Sequence, residues 1–269
     1  MQRNIHRIGL VVPSSNTTME IEIPELLARQ AQGGRHGFTT HSARLRLTQV
    51  TPEALRAMNA SAEDAVDALC DAQVDSVLYA CLVAVMVEGF EGVRETGIRL
   101  SSRAAAVATG QPSVITSAGA LIQGLNRISA RRINLIAPYR KPLTEKVCST
   151  LSEAGIEVLR SHSLEVVDNV AVGRLDQDAL MRIALDMDHS GADALVLSAC
   201  VQMPSLEVVE AVERRIGIPV ITAATASVRI LLDRLGIAPR IAGAGRLLRS
   251  DSVGSFAAAT PDAVRIALR

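Results

Sequence analysis

The sequence predicts an α/β protein made of two similar lobes, each with about four parallel strands flanked by helices. Three observations predict this class. Short β-branched segments alternate with helical patterns, three segments of the first half recur in the second half, and aromatic residues make up only 2% of the 269 residues while hydrophobic residues make up 48%. A core of Val, Ile, Leu and Ala suits parallel strands that are buried on both faces.

Short apolar, β-branched runs predict the strands, and terminal signals predict where the helices between them begin and end. Thr51 precedes a helix with Pro52 at its first position, and a second helix has Pro142 near its start and Gly155 at its end. The helix that begins with "PSLEVV" ends at Gly217. The predicted strands lie at about 7–12, 43–48, 75–80, 113–116, 132–137, 156–160, 193–198 and 219–222.

The two halves of the chain repeat each other in the same order, at unequal separations. "RIGLVVP" resembles "RINLIAP", "VDSVLYACLV" resembles "ADALVLSACVQ", and "GQPSVITSA" resembles "GIPVITAAT". This pattern indicates an old duplication and not a short-period solenoid. It predicts a first lobe at 1–118, completed by 224–269, a second lobe at 119–223, and an active site between them. In parallel sheets ligands bind beyond the carboxyl ends of the strands.

Composition and motifs exclude several classes of function. Lys plus Arg equals Asp plus Glu at 28 each, and no basic stripe alternates with aromatic residues, so nucleic acid is not an expected partner. Because no apolar stretch approaches about eighteen residues and no signal-cleavage pattern is present, we expect a cytoplasmic protein without a membrane partner. Four Cys and five His form no metal-ligand motif, and no phosphate-binding loop is present, so neither a metal nor a cofactor is expected. The fragment "GAGRLL" is interpreted as a loop.

Two cysteines close equivalent strands of the repeat. Cys81 ends "YAC" and Cys200 ends "SAC", each before a predicted helix start, where N–H groups stabilise a thiolate. The alternative is that each is a small buried hydrophobic residue. Recurrence at matching positions favours two thiols that face each other across a cleft. By contrast, Cys70 and Cys148 lie inside amphipathic helical patterns and are interpreted as structural.

The loop "PSSNTTME" carries more polar side chains than a helix cap requires. Asn16 or Thr17 is predicted to cap the following helix, and Thr17 with Glu20 has the spacing of a capping box. The other hydroxyl, amide and N–H groups suit an anion. The alternative interpretation is a helix cap with polar neighbours.

"PSSNTTME", "YACLVA" and "SACVQMPS" together resemble the maleate cis-trans isomerases of the aspartate/glutamate racemase superfamily. The resemblance runs from about residue 6 to about residue 248 and includes "APYR" and "DNVAVGRL", while the tail at 249–269 is an addition without an assigned role. It implies two flavodoxin-like lobes related by a pseudo-twofold axis, a cofactor-free active site between them, and a homodimer.

The resemblance also implies roles for individual residues. Cys81 would be the nucleophile and Cys200 the acid/base, and the ligand would be a small dicarboxylate. Side chains of Asn16, Tyr139 and Asn169 would bind its carboxylates. Backbone N–H groups would add donors at Leu82, Val83 and Val201. Other interpretations remain: a packed ring for Tyr139 and an ordinary turn or cap amide for Asn169.

The implied reaction is the conversion of maleate to fumarate by thiolate addition, bond rotation and elimination, without a redox cofactor. Other enzymes of the superfamily are the nearest alternatives. An aspartate/glutamate-type racemase is disfavoured because its "CNT" motif is absent, and an arylmalonate decarboxylase because it needs only the cysteine of the second half. A non-catalytic carboxylate-binding protein is the alternative from another class.

Overall fold

The computed structural model describes residues 3–32 and 34–250. Within these residues the strands form two four-stranded parallel sheets. The first sheet has the order β2-β1-β3-β4 and the second the order β6-β5-β7-β8, so the two halves share one topology. The strands are β1 (Asn4–Pro13), β2 (His36–Leu45), β3 (Ser76–Tyr79), β4 (Ser113–Thr116), β5 (Arg132–Ala137), β6 (Glu157–Ser163), β7 (Ala194–Ser198) and β8 (Val220–Thr222).

Helices flank both sheets, as the alternating pattern predicts. They are α1 (Met19–Ala31), α2 (Pro52–Ala60), α3 (Ala62–Asp71), α4 (Leu82–Met86), α5 (Gly89–Val107), α6 (Ser117–Arg127), α7 (Lys141–Glu153), α8 (Asn169–Val172), α9 (Gln177–Asp186), α10 (Leu206–Ile216) and α11 (Ala223–Arg234). The helices α6 and α11 each follow the last strand of a sheet and pack against each other, and α11 also packs against α1. The predicted fold class is confirmed.

The central strands determine where the candidate site lies, because their carboxyl ends meet at one edge of each sheet. β3 and β7 are buried along their whole lengths, and β5 is buried beyond Arg132. Branched aliphatic side chains fill both faces of such strands. The chain therefore leaves the buried strand β3 toward Cys81 and the buried strand β7 toward Cys200.

Several predicted helix ends are confirmed. The Thr51 hydroxyl oxygen accepts a hydrogen bond from the Ala54 N–H at 3.2 Å, and Pro52 is the first residue of α2. Gly217 ends α10 in the left-handed region with φ 78°. Gly has no Cβ to clash there, which explains its use as a stop signal.

Two local predictions are wrong. The second strand was expected at 43–48, but β2 is His36–Leu45 and pairs with β1 along its length. β2 is an edge strand and is half exposed, so many of its side chains are polar. The prediction relied on a run of apolar residues, which this strand lacks. The predicted capping box does not form, because the Asn16 side-chain oxygen accepts the Met19 N–H at 3.1 Å and Glu20 pairs with Arg44.

The end of the described chain is more ordered than a loop. "GAGRLL" ends in a short 3₁₀ helix, Arg246–Leu248, with Leu247 and Leu248 buried. The Arg229 guanidinium donates to the Leu247 carbonyl oxygen at 2.8 Å. Residues 251–269 of the predicted added tail lie outside the described residues. Across the ranges 3–32 and 34–250, no helix combines the length and apolar character needed to cross a membrane.

Candidate active site

One cavity lies beyond the carboxyl ends of both sheets and encloses about 300 Å³, part of it open to solvent. Both halves of the chain line it. The first half contributes Pro13, Asn16, Leu47, Val50, Ala80, Cys81, Leu82 and Val83, and the second contributes Tyr139, Asn169, Cys200, Val201 and Gln202. The structure therefore brings together every site residue named from the sequence. The two cysteines share this cavity, while Cys70 lies on α3 and Cys148 on α7.

Cys81 follows β3 and occupies the residue before α4, with an extended backbone. Burial raises the pKa of its thiol to about 12, although the Ala84 N–H lowers that pKa by hydrogen bonding to sulfur. The charge of Cys200 raises it further. The two thiols are thus close enough for the ionisation of one to oppose the ionisation of the other.

Cys200 follows β7, where the Ser198 hydroxyl donates to the Cys200 carbonyl oxygen at 2.7 Å and fixes the loop. Burial raises the pKa of the Cys200 thiol. The Tyr139 hydroxyl and the N–H groups of Gln202 and Met203 lower this pKa because they stabilise the thiolate. This environment can hold the group as a thiol or, transiently, as a thiolate.

Tyr139 follows β5 and is only 7% exposed. Its hydroxyl donates to the Ala199 carbonyl oxygen at 3.3 Å, beside Cys200. Burial, followed by the charges of Cys200 and Cys81, raises its pKa well above the ordinary value. Tyr139 therefore stays a neutral hydrogen-bond donor in the cavity.

Asn16 holds a donor that has no acceptor. Its side-chain oxygen caps α1 through the Met19 N–H, while its side-chain nitrogen is buried and forms no hydrogen bond with any residue that the structure describes. A buried amide without a partner costs free energy, on the order of 1–3 kcal/mol. An acceptor that enters the cavity can remove this cost.

Asn169 begins α8, and its side-chain nitrogen donates to the Ser15 hydroxyl at 2.5 Å. Gln202, which the sequence reasoning missed, reinforces this junction. Its side-chain nitrogen donates to the Ser15 carbonyl oxygen at 3.2 Å and to the Asn169 carbonyl oxygen. Gln202 lies within "SACVQMPS", but nothing in the sequence indicates this contact between the halves.

Three backbone donors complete the cavity. Leu82 and Val83 begin α4, where the first N–H groups of a helix have no partner within it. Neither these two N–H groups nor that of Val201 forms a hydrogen bond within 3–32 and 34–250. Neutral donors thus surround two buried thiols, and the described residues that line the cavity include no Arg or Lys. Such a site can bind a carboxylate beside a sulfur nucleophile.

Known proteins are similar to this chain over most of its length. The family model described as arylmalonate decarboxylase matches residues 8–248. A maleate isomerase from Nocardia farcinica is 48% identical over 250 residues, which cover 92% of this chain and 97% of that protein. The chain belongs to the maleate isomerases of this family. A maleate isomerase from Geobacillus stearothermophilus is 46% identical over 90% of this chain and 96% of that protein.

Solved maleate isomerase structures share the fold throughout. A cysteine-to-alanine variant from Pseudomonas putida with maleate has 41% identity and a TM-score of 0.90, over 92% of this chain and 98% of that chain. A cysteine-to-serine variant from Nocardia farcinica carries a covalently bound succinylcysteine intermediate. It has 46% identity and a TM-score of 0.88, over 92% of this chain and 100% of that chain. The family predicted from "PSSNTTME", "YACLVA" and "SACVQMPS" is confirmed.

Proposed function

We propose that the protein converts maleate to fumarate without a cofactor, through covalent addition of a cysteine thiolate. The observation that carries this proposal is the pairing of Cys81 and Cys200, from equivalent strand ends of the two halves, in one cavity with neutral donors. The similarity to maleate isomerases over most of the chain supports the substrate. Maleate has two carboxylates, and the cavity offers donors from both halves.

Cys81 is the proposed nucleophile. Its thiolate adds to one alkene carbon, so a carbon–sulfur bond forms and the π bond breaks, with the electron pair delocalised onto the adjoining carboxylate. Cys200 then gives its thiol proton to the neighbouring carbon. The succinylcysteine of the Nocardia farcinica variant is an intermediate of this type and supports the addition step.

Rotation about the new single bond precedes elimination. The Cys200 thiolate takes a proton back from the carbon that received one, the double bond forms again, and the carbon–sulfur bond breaks to release the Cys81 thiolate. The product is the trans isomer, fumarate. Neither water nor a redox equivalent is consumed, which is why the proposed chemistry needs no cofactor.

Neutral hydrogen-bond donors offset the electrostatic repulsion between maleate and the thiolate. The two negative charges of maleate oppose thiolate formation, and burial already raises the pKa of both thiols. We propose that the side chains of Asn16, Tyr139 and Asn169, with the N–H groups of Leu82, Val83 and Val201, bind the carboxylates. A fixed set of dipoles stabilises the charge that develops on the enediolate more than the charge of the ground state.

Decarboxylation of a substituted malonate is the second candidate, because the family model carries the name arylmalonate decarboxylase. That reaction needs one proton donor and leaves Cys81 without a role. A racemase that uses opposed thiols and a non-catalytic carboxylate-binding protein are weaker candidates. A binding protein has no need for two thiols in one cavity.

Proton NMR separates these candidates, together with chiral chromatography of the aspartate sample, which contains the L enantiomer, because enantiomers give the same NMR spectrum. The dialysed protein is incubated separately with maleate, aspartate and phenylmalonate, in buffer with a chelator and no added cofactor. We expect fumarate from maleate and no change in the other two samples. Racemised aspartate, phenylacetate, or three unchanged samples would each refute the proposal. Cys148→Ser is the control for thiol removal outside the cavity, and Cys81→Ser should abolish turnover while maleate still binds.

We further propose a cytoplasmic homodimer with the lobe boundaries predicted from the repeat, 1–118 with 224–269 and 119–223. The family resemblance supports the dimer, and the packing of α11 against α1 supports the boundaries. Cys70, Cys81, Cys148 and Cys200 are all free thiols, as suits a reducing compartment. Light scattering coupled to gel filtration tests the dimer, and cell fractionation tests the compartment.

A further inference from the structure

A buried carboxyl group close to the cavity has no role in the proposed chemistry. Glu22 lies on α1 and is 5% exposed. One of its carboxylate oxygens accepts two backbone N–H groups, from Ser205 at 2.7 Å and from Leu206 at 2.8 Å. These residues begin α10, which belongs to the other half of the chain. Glu22 therefore binds the N-terminus of a helix across the junction between the halves.

Glu22 replaces the usual cap of α10. Ser205 is the N-cap residue, yet its hydroxyl forms no hydrogen bond among the described residues, although Ser at this position commonly accepts one from the helix. A carboxylate at a helix N-terminus also interacts favourably with the helix dipole. The start of α10 thus depends on a side chain from α1.

This contact links the helix that follows Asn16 to the loop that follows Cys200. Glu22 is the fourth residue of α1, the helix that Asn16 caps, and α10 starts shortly after Cys200. The carboxylate is also close enough to Cys200 to raise the pKa of that thiol. Glu22 can therefore set both the distance between Asn16 and the Cys200 loop and the charge that Cys200 experiences.

In the equivalent contact, a carboxylate of the second half caps a helix of the first half, but it does not change the pKa of a cavity thiol. Glu153 on α7 accepts the Phe90 N–H at 2.8 Å near the start of α5, the helix that follows Cys81 and α4. Glu153 is exposed, and the pKa of Cys81 responds to burial, Ala84 and Cys200. Among the described residues, a carboxylate thus acts on Cys200 but none acts on Cys81, and this difference breaks the symmetry between two otherwise equivalent thiols.

We propose that Glu22 is a positioning residue for the isomerisation, a role that rests on the proposed function. Its carboxylate holds the Cys200 loop against α1 and favours the protonated form of Cys200, so that Cys200 serves as the acid while Cys81 serves as the nucleophile. Among the described residues, the titratable groups that act on Glu22 and Cys200 are Glu207 on α10, Tyr139, Cys81, and the two residues themselves. Glu22 forms no ion pair within the described part of the chain.

Two substitutions of Glu22 separate the effect of its hydrogen bonds from the effect of its charge. In Glu22→Gln the amide oxygen still accepts the Ser205 and Leu206 N–H groups, but the negative charge is lost. In Glu22→Ala both are lost. Glu153→Gln is the matched control, because it neutralises the equivalent carboxylate that caps α5 and does not act on either cavity thiol.

The first measurement is the rate of Cys200 alkylation by iodoacetamide against pH, with each cysteine followed by peptide mass spectrometry. In Glu22→Gln we expect Cys200 to react about threefold faster at about pH 8, because loss of the neighbouring negative charge lowers the pKa of Cys200 and raises its thiolate fraction. Cys81 should react as in the wild type. If the alkylation rate of Cys200 depends on pH in the same way in the wild type and in Glu22→Gln, the proposal is overturned. An equal increase of this rate in Glu153→Gln would also overturn it.

The second measurement is steady-state turnover of maleate. Glu22→Ala should lower kcat by at least about tenfold, because small displacements of reacting groups are costly, and KM should change little. Glu153→Gln should match the wild type, and an unchanged kcat in Glu22→Ala would refute the positioning role. If the wild type does not isomerise maleate, the proposed function fails, while the alkylation curves still decide the effect of Glu22 on Cys200.

Discussion

The side-chain nitrogen of Asn169 donates a hydrogen bond to the Ser15 hydroxyl, with 2.5 Å between the two atoms. The residues are 154 positions apart, one in each half of the chain, and Asn169 lines the cavity. The donor proposed to bind a substrate carboxylate is thus engaged by a hydroxyl of the opposite half. The amide nitrogen carries two N–H groups, so one of them remains for a carboxylate of maleate.

Asn169 and Ser15 can be tested as a pair. Asn169→Ala removes both the contact and the proposed carboxylate donor, whereas Ser15→Ala removes the contact and frees the donor. We expect kcat/KM for maleate to fall at least about tenfold in Asn169→Ala, since one hydrogen bond to a charged group contributes about 1.5–3 kcal/mol. Ser15→Ala should stay within about threefold of the wild type. Equal losses would mean that Asn169 acts only by joining the halves.

Asn16→Asp separates helix capping from substrate binding. The carboxylate keeps an oxygen for the Met19 N–H, so α1 should keep its cap, and any fall in the midpoint of thermal unfolding should come from burial of the new charge. The buried donor is lost, and a negative charge faces the carboxylates of maleate. We expect the Kd for maleate, measured by calorimetry in the Cys81→Ser background, to rise at least about a hundredfold. Unchanged affinity would exclude Asn16 from the binding site.

The sequence was sufficient for the fold and for the location of the cavity, because both follow from local patterns. Strand ends are marked by the change from β-branched to polar residues, and the duplication pairs Cys81 with Cys200. Gln202 and Glu22 were missed since their partners lie in the other half of the chain. In the sequence Glu22 reads as a polar position of an amphipathic helix, and only tertiary packing buries it.

Tyr139→Phe should weaken the stabilisation of the Cys200 thiolate. The Tyr139 hydroxyl lowers the pKa of Cys200, so its removal should raise that pKa and slow alkylation of Cys200 at about pH 8, with kcat/KM for maleate at least about tenfold lower. Tyr79→Phe is the control, because the buried Tyr79 hydroxyl forms no hydrogen bond within the described residues. An activity loss of similar size in both variants would contradict the role of Tyr139.

Glu22 also predicts how stability depends on pH. Burial raises its pKa from 4.5 to about 7, against the Ser205 and Leu206 N–H groups, which lower it. The folded protein then holds a proton that the unfolded chain releases, so the stabilisation is complete below about pH 4.5 and is lost as the pH rises through about 7. The free energy of unfolding should decline by up to about 3 kcal/mol over this range relative to Glu22→Gln. Urea unfolding of both proteins at about pH 5 and about pH 8 measures the difference, and parallel pH dependences would contradict it.

Covalent trapping tests the central claim that a thiolate of Cys81 adds to maleate beside the thiol of Cys200. The Cys200→Ser variant is incubated with maleate, and every cysteine peptide is then examined by mass spectrometry. The account predicts a succinyl group on Cys81 and unmodified Cys70 and Cys148. An unmodified Cys81 after prolonged incubation, or a succinyl group found equally on the cysteines outside the cavity, would contradict it.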